Sequence, residues 1–305
     1  MGSGNVLVIR LGALGDLVQC FDAFHAVRAR HAGAHRVTLL TGPAFAGFAR
    51  AMPWFDAVME DARGRSPLHY LRMRARLRAG GFDRVYDLQN KPRTARYRWL
   101  MGPGRRPAWS GAAPGAEFPL PDLAGLHNRD RYLAQLRAAG VPDAGAADLS
   151  WLDGDVAGLV PAGPFALLVP GCSPHLPHKR WPAERYAALG RRLLARGMAP
   201  VLAGTGADRD AADAILAGCP GAVDLVGRTS LGQLAALARR AAAAVGNDTG
   251  PVFLAAALGC PTLMLMSHHT DPVRSAPWGP RAAWLKRDDL GTLEVEAVEA
   301  AIPTA

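Results

Sequence analysis

Apolar and polar positions along this chain fall into two successive series of blocks. Residues 5–11, NVLVIRL, form a nearly unbroken apolar run, the pattern of a strand buried on both faces of a parallel sheet. The turn Gly12-Ala13-Leu14-Gly15-Asp16 follows, then a helical stretch at 17–29 and a second strand at 36–40. Residues 57–59 and 84–88 read as further strands, with 68–79 between them as a helix. That stretch is ambiguous, because Arg72, Arg74, Arg76 and Arg78 alternate with Leu71, Met73, Ala75 and Leu77. The alternation is strand periodicity written in helix-forming residues. Residues 129–139 make a helix that Gly140 ends.

Residues 141–164 are rich in Pro, Gly, Ala and Asp and have no strong period, so they read as the crossing between domains. The second series then begins. Strands are predicted at 165–169, 199–203 and 223–226, and helices at 181–196, 209–216 and 231–240. Residues 241–266, AAAAVGNDTGPVFLAAALGCPTLMLM, read as a buried strand, a polar loop, a short helix and another buried strand. Pro251 suits the first turn of that helix, and Gly259 and Pro261 stop it. A last helix is expected at 293–302. The alternation predicts an α/β protein of two doubly wound, Rossmann-like domains. The expected boundaries are 1–155, 156–290, and a terminal segment 291–305 that packs back on the first domain. Two such halves imply a cleft, with ligands beyond the carboxyl ends of the strands.

Composition sharpens this picture in two places. Half of the 305 residues are apolar, enough for a full core, and no apolar run is long enough to cross a bilayer. The net charge of +9 is concentrated: residues 63–106 hold 12 Arg and one Lys against Asp83 and Asp87, or +11, while the rest of the chain sums to −2. A basic segment of that kind attracts nucleic acid, anionic lipid or a phosphorylated substrate, or else is a solvated surface. Cys20, Cys172, Cys219 and Cys260 are scattered, as expected of reduced, buried thiols in a cytoplasmic protein. The opening MGSGNVLVIR lacks a signal-peptide pattern, and Val6 breaks the myristoylation motif that Gly2 would begin.

Three loops carry candidate chemistry. In Gly12-x-x-Gly15-Asp16, the carboxylate of Asp16 stands at a helix start, where it is able to act as a general base or simply cap the helix. The loop is neither a dinucleotide fingerprint nor a phosphate-binding Walker loop. The second stretch is Pro170-Gly171-Cys172-Ser173 followed by His178-Lys179-Arg180-Trp181-Pro182; its cations suit a diphosphate that gains charge as it leaves, or form an ordinary surface pair. In the third, Asn247-Asp248-Thr249-Gly250 leads into a helix whose N-terminus offers free N–H groups and a positive dipole end, fit for phosphate, or else is a common capped turn. His175 and His178 form H-x-x-H, but no H-E-x-x-H or cysteine pair accompanies them, and no metal site is expected. Asp153-Gly154-Asp155 and Asp208-Arg209-Asp210 match D-x-D, yet neither follows an apolar strand, so both read as loop or capping acids. The serine-hydrolase elbow G-x-S-x-G is absent.

Taken together these motifs carry a resemblance. GALGD at 12–16, DLQ at 87–89, PG-x-S at 170–173, KRWP at 179–182, L-x-G-x-TSL at 225–231, NDTGP at 247–251 and TDP at 270–272 resemble, in that order, the bacterial heptosyltransferases of glycosyltransferase family 9. The resemblance covers nearly the whole chain. It implies the GT-B arrangement, two Rossmann-like domains facing a central cleft. It also implies inverting transfer of a sugar from a nucleotide-diphosphate donor, usually ADP-heptose, to the growing core of lipopolysaccharide, without a cofactor or metal. By matching position, Asp16 would be the catalytic base and Lys179 would bind the donor phosphates. Asp248, Thr249 and Gly250 would meet the donor phosphates and ribose, Ser173 would lie near the phosphates, and Asp208 would reach the ribose hydroxyls. The basic segment, with Lys91, Arg93 and Arg96, would face an anionic glycolipid acceptor at the inner membrane surface. A monomer that is cytoplasmic and peripheral to that membrane, without nucleic-acid partners, is the matching expectation.

The chain departs from the family pattern at identifiable residues. Phe253 stands where the family usually has a His, which removes a hydrogen-bonding group from the donor loop. Ser267-His268-His269 precedes TDP where a Gly is common, and that segment is expected to border the nucleotide base. Asp22 replaces a Pro common in the first helix. A catalytically silent nucleotide-sugar-binding or scaffolding homologue is therefore the alternative reading, and nucleic-acid binding through the arginines is a third.

Overall fold

The computed structural model describes residues 4–33, 36–102, 106–173 and 176–303, with Pro177 described by its backbone alone. The chain divides into two compact units, residues 1–151 and 152–305, a boundary slightly earlier than the sequence pattern places it.

The first unit runs β1 (Asn5–Ile9), α1 (Leu14–Val18), α2 (Phe21–Arg30), β2 (Arg36–Thr41), α3 (Pro43–Arg50), β3 (Ala57–Glu60), α4 (Pro67–Ala79), β4 (Phe82–Asp87), α5 (Pro92–Leu100), β5 (Ala108–Ser110) and α6 (Asn128–Ala138). Its strands form one parallel sheet in the order β3-β2-β1-β4-β5. The apolar run of β1 is buried from Val6 to Ile9, as a central strand covered on both faces requires. One face of the sheet packs Met73, Leu77, Tyr97 and Met101 against Leu7, Ile9 and Val85. Elsewhere in the unit Phe21 and Phe24 gather with Trp54, and Trp151 packs edge-on against Phe21 and Trp54.

The single helix expected at 17–29 is two, broken around Gln19 and Cys20. The ambiguous stretch 68–79 is helical throughout. Ser66 caps it by accepting the His69 N–H at 3.2 Å, and Pro67 starts it. The short helices α3 and α5 and the three-residue β5 were not foreseen. Both helices begin with Pro after a loop; α5 carries no clear apolar stripe, and the stripe of α3, Phe45, Ala46, Phe48 and Ala49, is confined to eight residues.

The second unit runs β6 (Phe165–Val169), α7 (Ala183–Ala195), β7 (Ala199–Leu202), α8 (Arg209–Gly218), β8 (Val223–Asp224), α9 (Leu231–Arg240), β9 (Ala243–Asn247), α10 (Gly250–Ala257), β10 (Thr262–Met266), α11 (Pro272–Ser275), β11 (Ala282–Lys286) and α12 (Val295–Ala301). Its parallel sheet has the order β11-β10-β9-β6-β7-β8. Strands β6, β9 and β10 are buried along their whole length. The turn Leu290–Thr292 and α12 belong to this unit. Val295 and Val298 enter its core, and Arg192 on α7 pairs with Glu296 and Glu299 at 2.8 and 2.5 Å. The terminal helix, expected to pack back on the first domain, has its small apolar face in the core of the second unit beside α7.

Each sheet has a switch point where the strand order reverses, between β1 and β4 in the first and between β6 and β9 in the second. Loops that leave adjacent strands diverge there, which opens space at the carboxyl ends.

Candidate active site

In the first unit the loop after β1 is fixed by residues from the loop after β4. Gln89 Oε1 accepts the Leu11 N–H at 2.9 Å, and Arg10 Nη1 donates to the Leu88 carbonyl at 2.6 Å. Gly12 has φ +101°, and a Cβ there would collide with the Phe45 ring, so only glycine fits this turn. Asp16 lies in the first turn of α1, its side chain 39% exposed. Its Oδ2 accepts the Ala13 N–H at 3.0 Å, and its Oδ1 lies 2.7 Å from Arg10 Nη2. Asp16 therefore does cap its helix, and it also presents a carboxylate at the switch point, oriented by a buried arginine.

Arg10 is the residue that sequence reasoning missed here. It is nearly buried, and its guanidinium faces the Tyr132 ring 5.1 Å away. A cation at the end of an otherwise apolar central strand was the available signal, since such a residue is costly to bury without a partner. Behind it, Asp87 is fully buried. Burial pushes its carboxyl up to about 6, although N–H groups of Asn90 and Gln89 favour the charged form. Cys20, beside Arg10, is pushed up to about 12 by burial, so it is an inert thiol.

In the second unit the hub is Asn247, which is fully buried at the end of β9. Its Nδ2 donates to the Pro170 carbonyl at 2.7 Å, and its Oδ1 accepts the Trp181 N–H at 3.0 Å and the Tyr186 hydroxyl at 3.1 Å. One side chain thus ties the loop after β6 to the loop after β9. Next to it, Asp248 Oδ2 lies 2.6 Å from Lys179 Nζ and accepts the Thr270 hydroxyl at 2.6 Å. Lys179, Asp248 and Thr270 come from three motifs that are widely separated in sequence. Thr249 is the N-cap of α10 but makes no side-chain cap hydrogen bond, so its hydroxyl is not committed to the helix, and Gly250 opens the helix.

Other sequence candidates are placed differently. Asp208 is buried, and its Oδ2 accepts the Thr205 N–H at 2.9 Å and hydroxyl at 3.0 Å, the capping role read from its D-x-D context. Ser173 is exposed, and its carbonyl accepts the Leu176 N–H. His175 lies outside the described residues. His178, His268 and His269 stack, with ring centroids 3.7 and 3.8 Å apart in successive pairs. Packing and the neighbouring His178, His268 and Lys179 hold His269 below the usual histidine range. Among the described residues no group of three or more His, Cys, Asp or Glu is placed to hold a metal ion. Phe253 is buried in α10, where a polar ring would be desolvated.

The basic patch also divides. Lys91 and Arg96 are exposed, but Arg93 turns inward, with its Nη2 on the carbonyls of Arg63 at 2.8 Å and Gly64 at 3.1 Å. Asp61, fully buried, accepts the Tyr97 hydroxyl and the Arg63 N–H beneath it. Arg93 thus has a structural role, holding the backbone at Arg63 and Gly64. Asp22 likewise has a structural role: it accepts Arg129 Nε and the Ala147 N–H, binding α2 to α6 and the segment before the unit boundary.

These placements can be set beside known proteins. The profile described as glycosyltransferase family 9 (heptosyltransferase) matches residues 131–299, more than half of the chain. The chain belongs to glycosyltransferase family 9. Lipooligosaccharide heptosyltransferase 2 of Haemophilus ducreyi is 32% identical over 130 residues, 41% of this chain and 37% of that protein. The chain thus spans about a third of the length of the Haemophilus relatives it matches. Lipopolysaccharide heptosyltransferase 2 of Escherichia coli K12 is 27% identical over 295 residues, 86% of this chain and 82% of that protein. Among solved structures, the family 9 glycosyl transferase of Veillonella parvula superposes with a TM-score of 0.82 at 20% identity, covering 98% of this chain and 96% of that one. An Escherichia coli heptosyltransferase solved with ADP superposes with a TM-score of 0.77 at 19% identity, covering 97% and 98%. The fold class expected from sequence, α/β with two doubly wound Rossmann-like units, is the one these family 9 structures share.

Proposed function

We propose that this family 9 protein is an inverting, metal-independent transferase that moves heptose from ADP-heptose to a lipopolysaccharide core or a related surface-glycan acceptor. The observation that carries the reading is the placement of Asp16 and of the Lys179–Asp248 pair, each at the switch point of its own sheet. ADP as the nucleotide is supported by the relative solved with it.

In this mechanism Asp16 takes the proton of the acceptor hydroxyl. The freed oxygen attacks the anomeric carbon on the face opposite the nucleotide. The bond between that carbon and the diphosphate breaks, and the electron pair leaves with the phosphate oxygen. Arg10 holds Asp16 Oδ1 and so keeps the carboxylate in one orientation. Lys179 exchanges Asp248 for the donor phosphates, where its charge stabilises the leaving group. The N-terminus of α10 adds the Gly250 N–H and the positive dipole end, and Asp248, released from Lys179, accepts from donor hydroxyls. The acceptor is an anionic glycolipid, and the enzyme works at the cytoplasmic face of the inner membrane, in peripheral contact with it.

Asp16→Asn is expected to lower transfer by roughly 10²- to 10⁴-fold while ADP binding is retained, because an amide keeps the shape but accepts no proton. Undiminished turnover in a radiolabelled sugar-transfer assay would remove Asp16 from the role of base. A silent nucleotide-sugar-binding homologue is the second reading, motivated by Phe253 at the position of the family histidine. Calorimetric binding of ADP with no turnover on any delipidated core acceptor would favour it.

A further inference from the structure

Helix α4 has two apolar ridges. Tyr70, Met73 and Leu77 face the sheet and pack in its core. Leu68, Leu71, Ala75 and Ala79 follow at successive spacings of three and four residues, on the side opposite Met73. All four are exposed, and Leu68 and Leu71 are 53% and 61% exposed. Arginines border this outer ridge on both sides, Arg72 and Arg76 along one edge and Arg74 and Arg78 along the other.

Helix α5 repeats the arrangement beside it. Tyr97 and Met101 point into the core, while Trp99, between them in sequence, is 61% exposed on the opposite side. Arg96 is exposed, and Arg106 lies over the Trp99 ring at 5.8 Å. The two helices pack together: Arg93 of α5 faces Tyr70 near the start of α4, and Arg78 near its end donates to the Met101 carbonyl. Their outer sides thus belong to one layer. Neither helix contains Asp or Glu, and Arg72, Arg74 and Arg96 make no ion pair among the described residues.

We infer that the outer face of α4 and α5 docks on an anionic phospholipid membrane, with Leu68, Leu71 and Trp99 entering the boundary between headgroups and acyl chains and Arg72, Arg74 and Arg96 on lipid phosphates. Apolar side chains flanked by cations, with a Trp among them, have the composition of a helix that lies in a membrane interface. A nucleic-acid backbone would use the arginines but leave the leucines in water. A second copy meeting through the same face would set like charge against like charge. The inference deepens the membrane contact of the proposed function by giving it a surface. Its test reads binding, so it stands or falls apart from the transfer chemistry.

The test is co-sedimentation of the full chain with vesicles of phosphatidylcholine, with and without phosphatidylglycerol. Binding is expected only to the anionic vesicles, weakening as salt rises. Leu68→Ser/Leu71→Ser is expected to lower the partition coefficient by roughly tenfold. Arg72→Gln/Arg74→Gln is expected to lower it by roughly thirtyfold. All four side chains are exposed, so the melting temperature of each variant should match that of the parent. The leucine variant should transfer sugar normally to a delipidated acceptor in solution. Quenching of tryptophan emission by brominated lipid should be larger for the parent than for Trp99→Phe. The inference is overturned if the parent ignores anionic vesicles at low salt, or if both double variants bind them as the parent does. It is also overturned if the leucine substitutions only dissociate an oligomer or only weaken binding to duplex DNA.

Discussion

At the scale of single residues, the site is built from charges that the chain cannot leave alone. Lys179 and Asp248 are largely buried and neutralise each other at 2.6 Å. Removing one partner costs more than the pair contributes, because the other charge is left without compensation. Lys179→Met is therefore expected to raise the donor KM by roughly ten- to a hundredfold, the value of a charge-assisted hydrogen bond to phosphate, with a smaller loss of stability. Steady-state kinetics with varied ADP-heptose reads this; an unchanged KM would place the phosphates elsewhere. Asp87 yields a prediction in pH. Burial pushes its carboxyl to about 6 from 3.8, so between those values the folded chain holds the proton more tightly than the unfolded one. Stability from this group is complete below the lower value, falls as pH rises through the window, and is constant above it. Asp87→Asn has no such titration. Denaturant midpoints measured from pH 7 down to pH 4 should show the parent gaining on the variant, by up to about 3 kcal/mol. Parallel pH profiles would refute it.

At the scale of elements, α4 shows how a misleading period arises. Its arginines alternate with apolar residues because the helix carries one ridge for the core and another for the surface. With both sides partly apolar, the helical period cancels and a two-residue period appears. The ends of elements decide the site more than their middles do. Gly246 is in the body of β9, where a Cβ would come 2.6 Å from Val252, 2.7 Å from the Val169 Cβ and 2.8 Å from the Val169 carbonyl. Two of those atoms belong to the neighbouring strand, and the third begins α10. Gly246→Ala is expected to force β9 away from β6 and to cost about 1–3 kcal/mol, the range of core overpacking. Because Asn247 follows directly, the ADP affinity should fall in the same variant. Calorimetry of unfolding and of ADP binding would read both, and a variant as stable as the parent would mean that the sheet yields easily.

For the whole molecule, each unit has its own parallel sheet and core, and the proposed donor residues all lie in the second. A nucleotide that binds the folded chain raises its apparent stability in proportion to its affinity. At about a hundred times Kd the gain is about 2.7 kcal/mol, or roughly 5 to 10 °C in Tm. A thermal-shift panel should rank ADP and ADP-sugars above UDP and GDP compounds. A UDP or GDP preference would redirect the donor assignment, and Ser267-His268-His269 would be the segment to examine first.

The sequence by itself determined the two-series α/β plan, the strands β6, β9 and β10, the loops after them and the family. Those features are local: a buried parallel strand needs a continuous apolar run, and a loop that meets phosphate needs small polar residues at a helix start. It also marked Asp16, Lys179 and Asp248, through motif order. Only the tertiary structure decided which charges meet. It paired Lys179 with Asp248 and Thr270, set Arg10 against Asp16, and turned Arg93 onto the carbonyls of Arg63 and Gly64. It put α12 on the second unit and gave α4 an outer face of leucine and arginine. Apart from the Arg10–Asp16 pair, six positions apart, these outcomes depend on contacts between residues tens of positions apart, where burial and Coulomb attraction act on spatial neighbours and leave no period along the chain.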